Sequence, residues 1–409
     1  MNFYNAFSIL IVLCALFAYV NYRFLKLPSA IGLMFIALLT SLGLLFFSNI
    51  KPAITNPVAD LLRKFDFTEL LLGYMLNFLL FASAIRVNID ELKKEKVAVI
   101  LFSTIGVVIS AFLIGIAMFY LLPFFNISMP LLHCLMFGAL ISPTDPVAVI
   151  SVLKRSNFSK SLETKIAGES LFNDGIAVVL FITLLRLNIP GNTVKWDDVL
   201  LLFAREAIGG VLVGAALGWI TIFFIKRVDD YKVEVLLTIA LVMGGYLLTH
   251  YLDVSGPLGM VFAGIIVGNK GKRTAMSNTT KEYLDKFWEL IDEILNAILF
   301  VLIGLELLLL NFLINYIEIG FITILVMLIA RYVSLYLPSR AVGFKEKISH
   351  ETLTILTWGG LRGGISIALA LVLPVEAGKD LWISLTYFIV AFSILVQGLT
   401  IEKVAKKIL

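Results

Sequence analysis

Apolar runs of about 17 residues or more recur along the whole chain, separated by short polar stretches that carry most of the charge. In an apolar run of that length, a helix satisfies its own backbone and can cross a bilayer. The pattern predicts about 13 spans, with cores near 6–22, 29–47, 66–86, 97–122, 131–153, 166–187, 199–225, 232–252, 256–269, 284–309, 315–339, 350–373 and 382–405. The fold class that follows is an all-α membrane protein. Two spans are atypical: 256–269 is short, and the first part of 284–309 is amphipathic. The stretch 48–65, with Pro52, Pro57, Arg63 and Lys64, reads as a loop with an interfacial piece. No soluble domain flanks the spans. Leu409 follows closely on Lys403, Lys406 and Lys407, so no regulatory tail is expected.

Charge orients this array, because Lys and Arg concentrate in cytoplasmic loops. With the N-terminus outside, the inner loops and the C-terminus hold about 24 Lys and Arg and the outer loops about 6. Arg205, Arg331 and Arg362 remain within spans. The loop 48–65 is the exception to the alternation. The first basic residue, Arg23, follows the first apolar run, so that run is not expected to be a cleaved signal peptide. The expected placement is a prokaryotic inner membrane, with the C-terminus cytoplasmic.

Composition excludes several classes. The chain is 60% hydrophobic and 15% charged, against about 25% charged in an ordinary soluble domain. A net charge of +4, spread over short clusters, argues against a nucleic-acid partner. Cys14 and Cys134 give no disulfide framework. His133, His250 and His350 are far apart and form no metal motif. No cofactor and no enzymatic activity are expected.

Two spans break their own pattern. The fifth contains Ile141-Ser-Pro-Thr-Asp-Pro146, where Pro143 and Pro146 each remove a backbone donor and clash with the preceding turn. The twelfth contains Gly359 and Gly360, then Arg362, then Gly363 and Gly364, a run that weakens a helix. Split as six, one and six, the spans give a first repeat over 6–187, a linker helix over 199–225 and a second repeat over 232–405. Each broken span is then the fifth of its half. Paired interrupted segments at matching positions point to a transporter binding site, and an odd linker span inverts the second half. The expectation is a single membrane transporter domain over 1–409, built from inverted six-helix repeats with discontinuous helices 5 and 12.

Ionisable residues at depth are costly and mark function by default. The sixth span supplies Glu169 and Asp174, five residues apart, with Ser170 and Asn173 between them. Ser170 and Asp174 share a helix face, as do Glu169 and Asn173. Thr144 and Asp145 join them from the broken fifth span. These carboxylate, hydroxyl, amide and carbonyl oxygens suit a hard cation. Arg362 stays charged and needs a carboxylate, with Glu169 the first candidate. Asp174 is the candidate for direct cation and proton binding. Asp145 either binds the ion or offsets the positive end of a half-helix. Arg331 reads as snorkelling or pairing locally, Arg205 and Glu206 as interfacial, and Glu306 as solvated near an outer end.

Three stretches, Ile141-Ser-Pro-Thr-Asp-Pro-Val-Ala-Val149, Gly168-Glu-Ser-Leu-Phe-Asn-Asp-Gly175 and Thr357-Trp-Gly-Gly-Leu-Arg-Gly-Gly364, closely resemble the monovalent cation:proton antiporter family of NhaP-type bacterial antiporters and eukaryotic sodium/proton exchangers. Phe300-Val-Leu-Ile-Gly-Leu305 is similar to the same family. The resemblance covers the whole membrane domain in order. It implies a homodimer embedded in lipid, with fifth and twelfth helices that cross, and exchange of Na+ or Li+ for H+. It makes Asp174 the shared carboxylate, with Ser170 and Thr144 giving oxygens to the transported monovalent cation. It places Asn173 beside that carboxylate, Asp145 at the crossing, and Glu169 with Arg362 in a buried bridge. An Asn-Asp pair is associated with electroneutral one-for-one exchange, since one fewer carboxylate carries one fewer proton. The third span departs from the family: Ala82 stands where a glutamate is often found.

The mechanism expected is alternating access, with Asp174 holding either a cation or a proton. K+/H+ antiport is the alternative within the fold, and a channel-like uniporter a further one. An intramembrane aspartyl protease is the alternative from another class, because two aspartates lie in neighbouring spans. Its usual Tyr-Asp and Gly-x-Gly-Asp contexts are absent.

Overall fold

A computed structural model describes residues 3–48, 69–146, 149–150, 160–188, 196–306, 313–341 and 348–408. The predicted loop 48–65 lies outside the described residues from position 49 onward. Every regular element among the described residues is helical, apart from one isolated backbone bridge. In chain order the main helices are α1 (Phe3–Val20), α2 (Ser29–Ser48), α3 (69–84), α4 (Lys96–Phe125), α5 (Leu131–Ile141), α6 (Lys160–Leu187) and α7 (Trp196–Ile225). They continue with α8 (Tyr231–Tyr251), α9 (Gly256–Ile266), α10 (Asn278–Glu306), α11 (Ile317–Ala341), α12 (His350–Trp358), α13 (Gly364–Val372) and α14 (Lys379–Ile408). A helical element therefore stands at each of the predicted spans, and the twelfth is divided between α12 and α13. Seven helices among the described residues are long and apolar enough to cross a membrane. At 28 residues, α6 is about 42 Å long, enough to cross a hydrocarbon core of about 30 Å.

Polar caps start helices at the loops. Asp230 accepts from Lys232 N at α8, Ser255 from Leu258 N at α9, and Ser349 from Thr352 N at α12. Pro257 sits in the first turn of α9, where its missing donor costs nothing.

Inside the bundle, small residues let backbones approach. A Cβ on Gly138 of α5 would lie 2.0 Å from the Ala111 carbonyl of α4, and one on Gly214 of α7 would lie 2.0 Å from the Gly259 carbonyl of α9. Two apolar cores result. The larger joins α4, α5, α6 and α11 to α14 with α1 and α2, the second half of α10 and parts of α3 and α9. The smaller gathers α3, α7, α8, α9 and the start of α10 around Trp288. Cys14 and Cys134 are both buried in the larger core and both free.

Candidate functional site

The site forms where two chain breaks meet. After Ile141, α5 stops and residues 142–146 run outside regular helix. After Trp358, α12 stops, and α13 resumes at Gly364. The two breaks cross as an antiparallel bridge, in which Asp145 N donates to Leu361 O at 2.8 Å. Glycine makes this approach possible. A Cβ on Gly363 would lie 2.8 Å from Asp145 Oδ2, and one on Gly360 would lie 2.9 Å from Arg331 Nε.

Breaking a helix in a membrane exposes half-helix ends, whose unpaired groups carry partial charge. The crossing supplies the opposite charge to each. Arg362 is fully buried, and its Nη1 donates at 3.1 Å to both Ser142 O and Pro143 O, at the negative end of α5. Asp145 lies against Gly363, at the positive start of α13. Pro143 and Pro146 bound the first break; Gly359, Gly360, Gly363 and Gly364 bound the second.

The sixth helix runs past this crossing. Asn173 Nδ2 donates to Thr144 Oγ1 at 2.7 Å, and Thr144 Oγ1 lies 3.2 Å from Ser170 Oγ. Thr144, Ser170, Asn173 and Asp174 are all buried. The structure thus brings Thr144, Asp145, Ser170, Asn173 and Asp174 to one locus.

The expected pair of Glu169 with Arg362 is corrected. Glu169 Oε1 bonds Arg331 Nη1 of α11 at 2.5 Å, with both side chains sealed from solvent. Arg362 turns its Nη1 to the carbonyls of the first break instead, while its Nε and Nη2 are buried without a hydrogen-bond partner among the described residues. Arg331 therefore does not snorkel; it is held in the core by a carboxylate on α6. Glu206 and Glu306 also prove buried rather than interfacial or solvated. Arg186 Nη2 reaches Glu206 at 3.2 Å.

Asp174 lines two spaces that share lining residues. One is a cavity of about 510 Å³ that extends past Arg86, Asn88 and Glu91 toward the end of the bundle bearing the basic 86–96 segment. The other is a space of about 60 Å³ at the crossing, lined also by Thr144, Asp145 and Ser366. A separate cavity of about 250 Å³ opens at the opposite end, near Arg186, His250 and Asp253, and does not reach Asp174.

Sequence reasoning missed four residues here. Asp292 and Asn296 of α10 line both spaces that Asp174 lines. Arg86 pairs with Asp292. Ser366, buried and with its hydroxyl unpartnered, faces the smaller space. The i, i+4 spacing of Asp292 and Asn296 was the available signal, but acidic residues on an amphipathic stretch read as a solvated face.

Comparison with known proteins gives the context. The family described as "Sodium/hydrogen exchanger, transmembrane" matches residues 9–407. The chain is 45% identical over 403 residues to the Na(+)/H(+) antiporter NhaP of Pseudomonas aeruginosa, covering 97% of this chain and 95% of that protein. It is 33% identical to the Na(+)/H(+) antiporter NhaH of Halobacillus dabanensis, covering 94% and 93%. The solved sodium proton antiporter MjNhaP1 of Methanocaldococcus jannaschii superposes with a TM-score of 0.79 at 21% identity, covering 100% of this chain and 99% of that one. That likeness carries the fold: inverted repeats with crossed helices.

Proposed function

The chain belongs to the sodium/hydrogen exchanger family, integral membrane cation/proton antiporters, and from that premise we propose that it exchanges Na+ or Li+ for H+, one for one, with Asp174 as the shared carboxylate. The observation that carries this reading is the placement of Asp174, which lines with Ser170 a cavity open to one end and with Thr144 a smaller space at the crossing. A bare carboxylate away from water is costly, so the site crosses only when loaded with a cation or a proton. Competition for one group then couples the two fluxes.

The cavities support alternating access. Asp174 is reached from the end rich in Lys and Arg, which the positive-inside rule makes cytoplasmic, so this is an inward-facing state. Asn173 supports electroneutrality. Its amide is committed to Thr144 and it has no proton to carry. On this reading 1–409 is one transporter domain, with repeats over 6–187 and 232–405 joined by 199–225. It works as a homodimer in a prokaryotic inner membrane, N-terminus outside. K+ is the alternative cation, because Ala82 offers no oxygen beyond its backbone carbonyl.

The experiment is proton flux in proteoliposomes with an internal pH dye, adding Na+, Li+ or K+ with voltage clamped. Cation-driven proton release by the wild type, insensitive to voltage and lost in Asp174→Asn that still inserts, is the expected result. Retained exchange in Asp174→Asn would overturn the role of Asp174, and voltage-driven release would overturn one-for-one stoichiometry.

A further inference from the structure

Resting on the exchange reading above, we propose that Asp292 is a second cation-binding carboxylate on the path to Asp174, and that Arg86 occupies it as a tethered stand-in for the transported ion. Six residues line both the large cavity and the small space at the crossing: Leu80, Ser83, Pro146, Asp174, Asp292 and Asn296. Two of them are carboxylates, so an ion moving inward from the large cavity meets Asp292 and Asp174 at the same constriction. The small space, about 60 Å³, admits a cation with one or two waters. An ion there has shed most of its hydration and needs protein oxygens in exchange.

Asp292 is built for that role. Its carboxylate is held from one side by Asn296 Nδ2, which donates to Oδ1 at 2.9 Å. Its other oxygen takes the Arg86 guanidinium. Arg86 is in turn tied by Nε to the Ala82 carbonyl at 3.0 Å. Among the described residues Arg86 is the one basic side chain lining the large cavity, whose carboxylates are Glu91, Glu163, Asp174, Glu289, Asp292 and Glu293. The pair is asymmetric in exposure: the Arg86 side chain is 35% exposed and that of Asp292 is 11% exposed. When a cation reaches Asp292, Arg86 can therefore move to water while the carboxylate keeps a positive partner. Leaving the buried Asp292 carboxylate without a positive partner is what costs most, and exchange of one cation for another avoids it. Arg86 thereby competes with the transported ion and sets how much Na+ is needed.

The test is the Na+ concentration dependence of proton release by the full-length protein in proteoliposomes, for wild type, Arg86→Gln, Asp292→Asn and the double variant. Arg86→Gln is expected to lower the KM for Na+ several-fold. Asp292→Asn is expected to raise it on the order of tenfold, about 1.4 kcal/mol of lost ion binding. The double variant leaves no charge of the pair unpartnered, so it guards against misfolding of either single change; its KM should stay as high as that of Asp292→Asn. A double variant with wild-type KM would overturn the proposal, because the pair would then be structural only. An unchanged KM in Asp292→Asn would overturn it too. A wild type without cation-coupled proton flux would instead overturn the exchange reading itself.

Discussion

Glu169 and Asp174 lie five residues apart on α6, in the same lipid-shielded depth, and have opposite surroundings. Glu169 is consumed by Arg331, and neither side chain of that pair is more than 4% exposed. Asp174 faces two spaces and has no ion-pair partner among the described residues. One turn and a half of helix separates a carboxylate that holds the bundle together from one that is available to a ligand. On the proposed reading, burial alone therefore does not identify a transport residue. What distinguishes the two is whether the opposite charge is built into the protein or must come from outside.

The contrast can be broken most strongly at Glu169. Glu169→Gln strands Arg331 in the core, so thermal stability in detergent should fall by about 3–5 kcal/mol. Asp174→Asn should leave stability equal or higher, since it removes an unpaired charge. A melt in which both variants lose stability equally would erase the distinction. Replacing both partners, Glu169→Gln with Arg331→Met, should recover most of the loss. Next in size is Gly363→Ala, whose new methyl meets Asp145 at 2.8 Å; overpacking there should cost about 1–3 kcal/mol and depress exchange with it. Na+ itself should stabilise wild type by about 1.4 kcal/mol at ten times its Kd. That shift should fall sharply in Asp174→Asn, leaving only what Asp292 still binds. The smallest effect is Thr144→Val, which removes the acceptor of Asn173 and should cost about 0.5–1.5 kcal/mol while weakening Na+ affinity.

The breaks in the fifth and twelfth spans were legible because their causes are local. A proline lacks a donor wherever it stands, and a glycine run weakens a helix without reference to neighbours. Pairing was not local. Two arginines, Arg331 and Arg362, were buried in spans, and span order does not say which faces Glu169. The crossing decides it: it draws Arg362 Nη1 to Ser142 O and Pro143 O, and it is Arg331 of α11 that reaches the carboxylate. Glu306 misled for a related reason. A carboxylate near a span end looks solvated until the packing around it is known. Asp292 was hidden by its own helix, since the first half of α10 also carries Glu282, Asp285, Glu289 and Glu293, acidic positions typical of a wet face. Only the folded bundle shows that Asp292 turns inward.

The burial of Cys14 and Cys134 has a practical corollary. The natural chain already serves as a nearly silent background for thiol labelling, with no need to delete its own cysteines. One cysteine introduced at Ser83, where the two spaces meet, would be the thiol that a water-borne maleimide finds first. Its labelling rate would then read out how long that junction stays wetted from each face of the bilayer, and how far a bound ion shuts it.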